Sequence, residues 1–200
     1  MKQNRSLLDH ASVLGALLVL VTACSDDDDN SPPTETNFPV TMNFYDIADA
    51  ELLLWVGGEP VSTEGLAPED LLTEDELFGM TEAYWENESM IFTADSAYSA
   101  SQPGANAYFF QNDSLFGTIT FGGAPVDVFL AEGNFTELRI PYGAYRYCIN
   151  SELITYCSSG GGVGRTSLGT VIENDNALAV EAFGPQDSVV VYNITIRFRP

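Results

Sequence analysis

The side chains able to do chemistry in this chain are few in kind. His10 and Lys2 are the only histidine and lysine, and both precede the first apolar run. The other cations are arginines: Arg5, Arg139, Arg146, Arg165, Arg197 and Arg199. Against 7 basic residues stand 29 Asp and Glu, for a net charge of -22. The cysteines are Cys24, Cys148 and Cys157. Beyond the amino-terminal stretch there is no imidazole for a Ser-His or Cys-His nucleophile, or for zinc, copper or non-haem iron. Nor is there a lysine for a Schiff base. What remains is carboxylate chemistry, thiol chemistry and binding by aromatic surfaces.

Cys24 sits at a distinctive junction. Lys2 and Arg5 make a basic start, and Val13 to Val21 is apolar apart from Gly15. Small residues then lead to a candidate cut site, which together form an export signal. The run is shorter than the roughly 20 apolar residues of a membrane span. With Ala23 immediately before Cys24, the junction resembles the lipobox of bacterial lipoproteins, although Val21 stands where that family more often has leucine. The resemblance implies cleavage before Cys24 and acylation there, with no other prosthetic group. Each buried methylene contributes about 0.8 kcal/mol, and more than one chain gives stable attachment. Ser25 and Asp26 to Asp29 resemble the acidic export tract of Bacteroidetes surface lipoproteins, implying outer-membrane attachment with cell-surface display. Losing residues 1–23 removes Lys2, Arg5 and Asp9, which moves the net charge of -22 to -23.

Several partner classes are excluded by this charge. Nucleic acid requires clustered Lys and Arg to displace counterions, and an anionic lipid surface repels such a domain. A calcium loop needs spaced acids with a central glycine. Glu173-Asn174-Asp175-Asn176 lacks both that glycine and the downstream bidentate acid, so no metal is expected. The acids read as a solvated surface. Once Cys24 is set aside, Cys148 and Cys157 are an even pair in an oxidising compartment, positioned to bridge a β-hairpin. The glycine run from Ser158 to Arg165 has neither the glycine spacing nor the lysine of a phosphate-binding loop, and reads as a flexible connector.

The elements that position these groups read mainly as strands. Residues 1–23 are the signal, 24–37 an acidic, proline-bearing tether, and 38–200 a single β-rich domain. Period-2 alternation is clearest at Leu115–Phe121 and at Val190–Arg199, where Val190, Tyr192, Ile194, Ile196 and Phe198 share one face. Further strands are expected near 38–45, 51–56, 89–93, 96–101, 105–111, 125–131, 135–140, 143–149, 152–157, 168–172 and 177–183. The fold class is all-β: an antiparallel barrel or a β-sandwich. Ala67 to Met80 differs. Pro68, Glu69, Asp70, the Thr73-x-x-Glu76 capping box and the apolar stripe of Leu71, Leu72, Leu77 and Phe78 predict one or two short inserted helices over a sheet edge or barrel mouth. Ile91-Phe92-Thr93-Ala94-Asp95, a Tyr-bearing strand, then Ser114-Leu115 resemble the strand pattern of small lipocalin-like lipoproteins, which implies a barrel with a cavity. Asp95-Ser96-Ala97, Asp113-Ser114-Leu115 and Asp187-Ser188-Val189 resemble the short O-glycosylation sites of Bacteroidetes.

Trp55, Trp85, Tyr142, Tyr145 and Tyr147 are the aromatic candidates for ligand contact, since such rings stack on sugars or line apolar cavities. Tyr145 and Tyr147 fall on one strand face and Arg146 on the other. The expected function is that of a membrane-anchored, extracytoplasmic, non-catalytic module binding a small apolar molecule, a glycan or an envelope partner. Its alternatives are a carboxylate-type glycoside hydrolase acting on extracellular polysaccharide, and a structural or adhesive surface module. The oligomeric state is open at this point. Self-repulsion at a net charge of -22 predicts lower stability at low ionic strength. The melting temperature should rise as salt is raised from about 0.01 M to about 0.15 M, shortening the Debye length from about 30 to about 8 Å. A flat or falling profile would contradict this.

Overall fold

The computed structural model describes residues 36–101, 104–150, 155–175 and 183–200. The leader, Cys24, the tether up to Glu35 and the strand expected over 177–183, apart from Phe183, lie outside the described residues. Thr36–Pro200 forms one compact unit. The strands are β1 (Val40–Val56), β2 (Glu59–Val61), β3 (Ser89–Phe92), β4 (Ser96–Ser99), β5 (Asn106–Gln111), β6 (Ser114–Phe121), β7 (Ala124–Asn134), β8 (Glu137–Asn150), β9 (Thr155–Val163) and β10 (Ser188–Arg199). The helices are α1 (Pro68–Leu71), α2 (Glu82–Trp85) and α3 (Leu168–Asp175).

Of the two expected architectures the barrel is the one formed: eight strands close antiparallel, consistent with a lipocalin-like barrel. Beginning with β1 and β3, each barrel strand pairs with its neighbour in sequence up to β8, and β10 then inserts between β8 and β1 to shut the ring. β2 and β9 are extensions on β1 and β8. Two pairs of expected strands are continuous. Residues 38–45 and 51–56 are one long β1, bent by register shifts after Phe44 and Ala48. Residues 135–140 and 143–149 are one β8.

Two expectations are corrected. Residues 168–172 are helical, not a strand. Ser167 caps α3, with its Oγ accepting the Thr170 N–H at 3.3 Å and its carbonyl accepting the Val171 N–H at 3.0 Å. The cap outweighs the strand preference of Thr170, Val171 and Ile172. The glycine run is no loose connector, because Ser158 to Val163 lie in β9 on the β8 ladder. Glycine is needed at 161 because a Cβ there would lie 2.8 Å from the Gly143 carbonyl oxygen on β8.

β10 is buried on both faces. Ile194, Ile196 and Phe198 enter the barrel core beside Met42, Phe92, Leu115, Leu138 and Ile140. Val189 and Val191 face the other way, packing with Tyr147 and Val171 under α3. The barrel interior is filled by side chains. Phe92, Phe110 and Phe135 stack edge-on or tilted, and Trp85 packs edge-on against Phe198. The cavity implied by the lipocalin-like resemblance is thus occupied by the protein's own rings.

The barrel wall forks at Pro141. β7 pairs β8 only from Glu132 to Asn134, against Arg139 to Glu137. From Tyr142 onward the same edge of β8 pairs β9. The Pro141 carbonyl accepts the Gly164 N–H at 2.7 Å, so the polar groups of residue 141 face this edge. Proline has no N–H to extend the β7 ladder there.

Cys148 and Cys157 are bonded, opposite one another on β8 and β9, with a sequence separation of 9. Closing so short a loop stabilises the fold by about 2–3 kcal/mol. A Cys148→Ser/Cys157→Ser double variant should lose about that much in chemical denaturation. Reductant should reproduce the loss in the parent and leave the variant unchanged.

Candidate functional site

The inserted segment between β2 and β3 supplies the main cleft. Its first turn is secured as the sequence suggests: Asp70 Oδ2 accepts the Ala67 N–H at 2.8 Å, ahead of Pro68 at the start of α1. The Thr73–Glu76 box also forms, with Glu76 Oε2 accepting the Thr73 N–H at 2.8 Å and Thr73 Oγ1 accepting the Glu76 N–H at 3.4 Å. It caps a run of turns rather than a helix, and the second helix comes later, as α2. Leu77, Met80 and Trp85 of this segment pack into the barrel core. The Trp85 Nε1–H donates to the Gly79 carbonyl at 2.6 Å.

Arg146 ties the segment to the barrel wall. It donates to Glu76 Oε2 at 3.2 Å and to the Leu71 carbonyl. Its charge is thus neutralised within the fold. The resulting cleft of ≈ 930 Å³ is lined by Leu71, Leu77, Phe78 and Tyr84, with Glu69 and Glu74 among its acids. Phe78 remains 69% exposed and Tyr84 40%. The two rings meet edge to face at 4.8 Å. Tyr84 meets Trp85 at 4.9 Å, and Trp85 meets Tyr142 at 6.1 Å. An aromatic chain therefore runs from the open cleft into the barrel core.

The five aromatic candidates do not form one site. Trp55, Tyr145 and Tyr147 lie in the outer cluster with Leu168, Val171 and Phe183. Trp85 and Tyr142 belong to the inner cluster. Tyr145 and Tyr147 do share a face opposite Arg146, as their spacing predicts. Phe78, expected within an apolar stripe, is instead the most exposed ring of the cleft. Neither its exposure nor the placement of Glu69 and Glu74 beside it follows from the local sequence pattern. The available signal was the stretch Glu64–Glu88, dense in acids and without a single Lys or Arg.

Of the cleft's acids, Glu69, Asp70 and Glu74 are exposed to solvent. Asp187 is buried, and both its oxygens are engaged, by Asn150 N–H and Gly184 N–H at 2.7 Å each. Among the described residues no three His, Cys, Asp or Glu side chains gather to hold a metal. Ser96, Ser114 and Ser188 of the three glycosylation-like sequences each begin a strand and are half-buried. No family model matches the chain, and neither the curated proteins nor the solved structures contain a match.

Burial pushes the phenol of Tyr142 above its ordinary value of 10.0, with Tyr84 adding to the shift. Burial does the same to Tyr192, reinforced by Glu69. A raised folded-state pKa stabilises the fold below the unfolded value, and that contribution is lost as pH climbs toward the folded one. Stability should therefore fall above about pH 10, as the unfolded chain releases these protons first. Tyrosinate absorbance of the folded protein should lag behind that of the denatured protein. Superimposable titrations would contradict the assignment.

Proposed function

We propose that the chain is a lipid-anchored, extracytoplasmic, non-catalytic binding module that engages an envelope partner at the cleft beside the barrel rather than in its interior. The observation that carries this reading is the contrast between a filled interior and an open cleft with two exposed rings. The Ala23–Cys24 junction supports the anchor, and the Asp26–Asp29 tract supports outward display on the outer membrane. The ligand chemistry follows from the lining. Glu69 and Glu74 favour a cationic group, while Leu71, Leu77, Phe78 and Tyr84 favour an apolar one beside it. A protein segment combining Lys or Arg with aliphatic or aromatic side chains meets both demands. The uncharged glycan and the purely apolar molecule each meet only one.

Two measurements test this. Replacing Cys24 with serine should move the protein from the membrane fraction to the soluble one; retention in the membrane would remove the anchor. The second titrates the protein with a short synthetic Lys/Leu peptide and, separately, with a neutral oligosaccharide, following Trp85 emission. Peptide binding should weaken roughly tenfold in Phe78→Ala or in Glu69→Gln/Glu74→Gln, the loss of about 1.4 kcal/mol, and should decline with added salt. Oligosaccharide binding that is insensitive to salt, with no response to the peptide, would replace the cationic partner with a glycan.

A further inference from the structure

The β6–β7 hairpin carries a second feature, independent of the cleft. Gly122 and Gly123 both have positive φ, 58° and 86°, and join Phe121 to Ala124 in a two-residue turn. Such a turn requires positive φ at both positions and makes Phe121 and Ala124 a hydrogen-bonded pair. Alternation along the ladder then fixes which groups point away from β6. Thr120↔Pro125, Thr118↔Asp127 and Phe116↔Phe129 are the non-bonded pairs. The backbone groups of residues 125, 127 and 129 therefore face outward.

Nothing in the described fold pairs with that side. β7 meets β8 only from Glu132 onward, because the ladder stops at Pro141. β5 reaches β6 only as far as Tyr108↔Gly117, so the hairpin tip extends past its neighbours on both sides. Phe121, Ile119 and Val126 are 76%, 46% and 42% exposed there. Natural proteins usually blunt a free edge with charge or proline. Here Pro125 removes one outward donor and leaves the N–H groups of Asp127 and Phe129.

We propose that β7 is a strand-addition edge that joins two copies of this chain, antiparallel and centred on Val128. The two remaining donors are placed symmetrically about that residue, so the edge is self-complementary under a two-fold axis. Asp127 of one copy exchanges both backbone bonds with Phe129 of the other, and the reverse. Val128 faces its own copy in a non-bonded pair. Charge permits a copy of this chain at this face. Two molecules each carrying -22 repel across most of their surfaces. From Ser114 to Ala131, Asp127 is the only charged side chain, and its Oδ1 accepts the Thr118 hydroxyl at 2.9 Å. In this register Asp127 lies opposite Phe129, not opposite its own copy.

The test uses the full chain carrying Cys24→Ser, which removes the free thiol and any lipid. Sedimentation at about 0.15 M salt, where the Debye length is about 8 Å, should show a concentration-dependent dimer. Asp127→Pro removes an outward donor and, apart from the Thr118 side-chain bond, leaves the β6 backbone ladder intact; it should weaken dimerisation roughly tenfold or more. A cysteine at 128 supplies the second readout. Non-bonded partners lie about 4.5 Å apart, within disulfide reach, so Val128→Cys should oxidise to a covalent dimer, while Val126→Cys should not. A monomer at every concentration overturns the proposal. So does association that survives Asp127→Pro and gives no bridge at 128, or bridging that peaks at 126. Binding of an unrelated extended peptide at this edge by a chain that stays monomeric would also overturn it, assigning the edge to another protein.

Discussion

The fold depends on one strand being buried from both sides. β10 closes the ring between β1 and β8, pairing with each along nearly its whole length. Its inner side chains fill the barrel, and its outer ones are covered by α3 and by the rings of Trp55, Tyr145 and Tyr147. Of its two buried polar residues, Asn193 and Thr195, Asn193 accepts the Thr166 N–H and donates to the Thr166 carbonyl, at 2.9 and 3.0 Å. An unpaired amide at that depth would cost about 1–3 kcal/mol. This arrangement also explains why aromatic residues close in sequence are divided between two clusters. Alternation along β8 sends Tyr142 inward and Tyr145 and Tyr147 outward, and each group completes a different layer around β10.

The second constraint is ionic. Every arginine of the described residues is paired with a carboxylate: Arg139 with Asp49, Arg146 with Glu76, Arg165 with Glu51, Arg197 with Asp46 and Arg199 with Glu137. Tyr45 adds a ring under Arg199, 3.8 Å from its guanidinium carbon. The Arg139 and Arg165 pairs are exposed and the other three part-buried, and their weight lies less in stability than in electrostatics. They consume the cations of the domain and leave the remaining acids uncompensated.

How much of this was legible in the sequence depends on whether the determinant was local. The strand alternation at Leu115–Phe121 and Val190–Arg199, the Thr73–Glu76 box and the Cys148–Cys157 pair are local, and the structure contains them. At 168–172 the β-branched residues favour a strand and the preceding Ser167 a helix, and the cap decides. The glycines of β9 were misread for a different reason. For Gly160 and Gly161 the neighbours lie on β8, the Tyr145 ring and the Gly143 carbonyl, and composition alone suggests a loop. Pro141 is the sharpest case. In the sequence it divides two expected strands, whereas in the fold it sits within one continuous strand and ends a pairing on one edge only. Phe78 shows the same limit from the surface side, because a helical stripe says which residues are apolar but not which the barrel has room to bury. The anchor junction and tract are matters of short-range motif, and for them the domain's geometry adds no constraint.

A filled barrel changes what binding can draw upon. A lumen would hold a ligand by enclosure, which favours small apolar molecules and slow release. Under the proposed function, the cleft instead combines two interactions of different range. Carboxylate fields extend over about a Debye length and raise the rate of encounter with a cation. The contact of Phe78 and Tyr84 with an apolar group acts only at van der Waals distance and governs the rate of departure. The two contributions therefore separate kinetically: salt acts chiefly on association, and truncating either ring chiefly on dissociation. A partner recognised in this way can be caught from solution by charge and held by a small apolar contact, while the core that stabilises the barrel remains undisturbed.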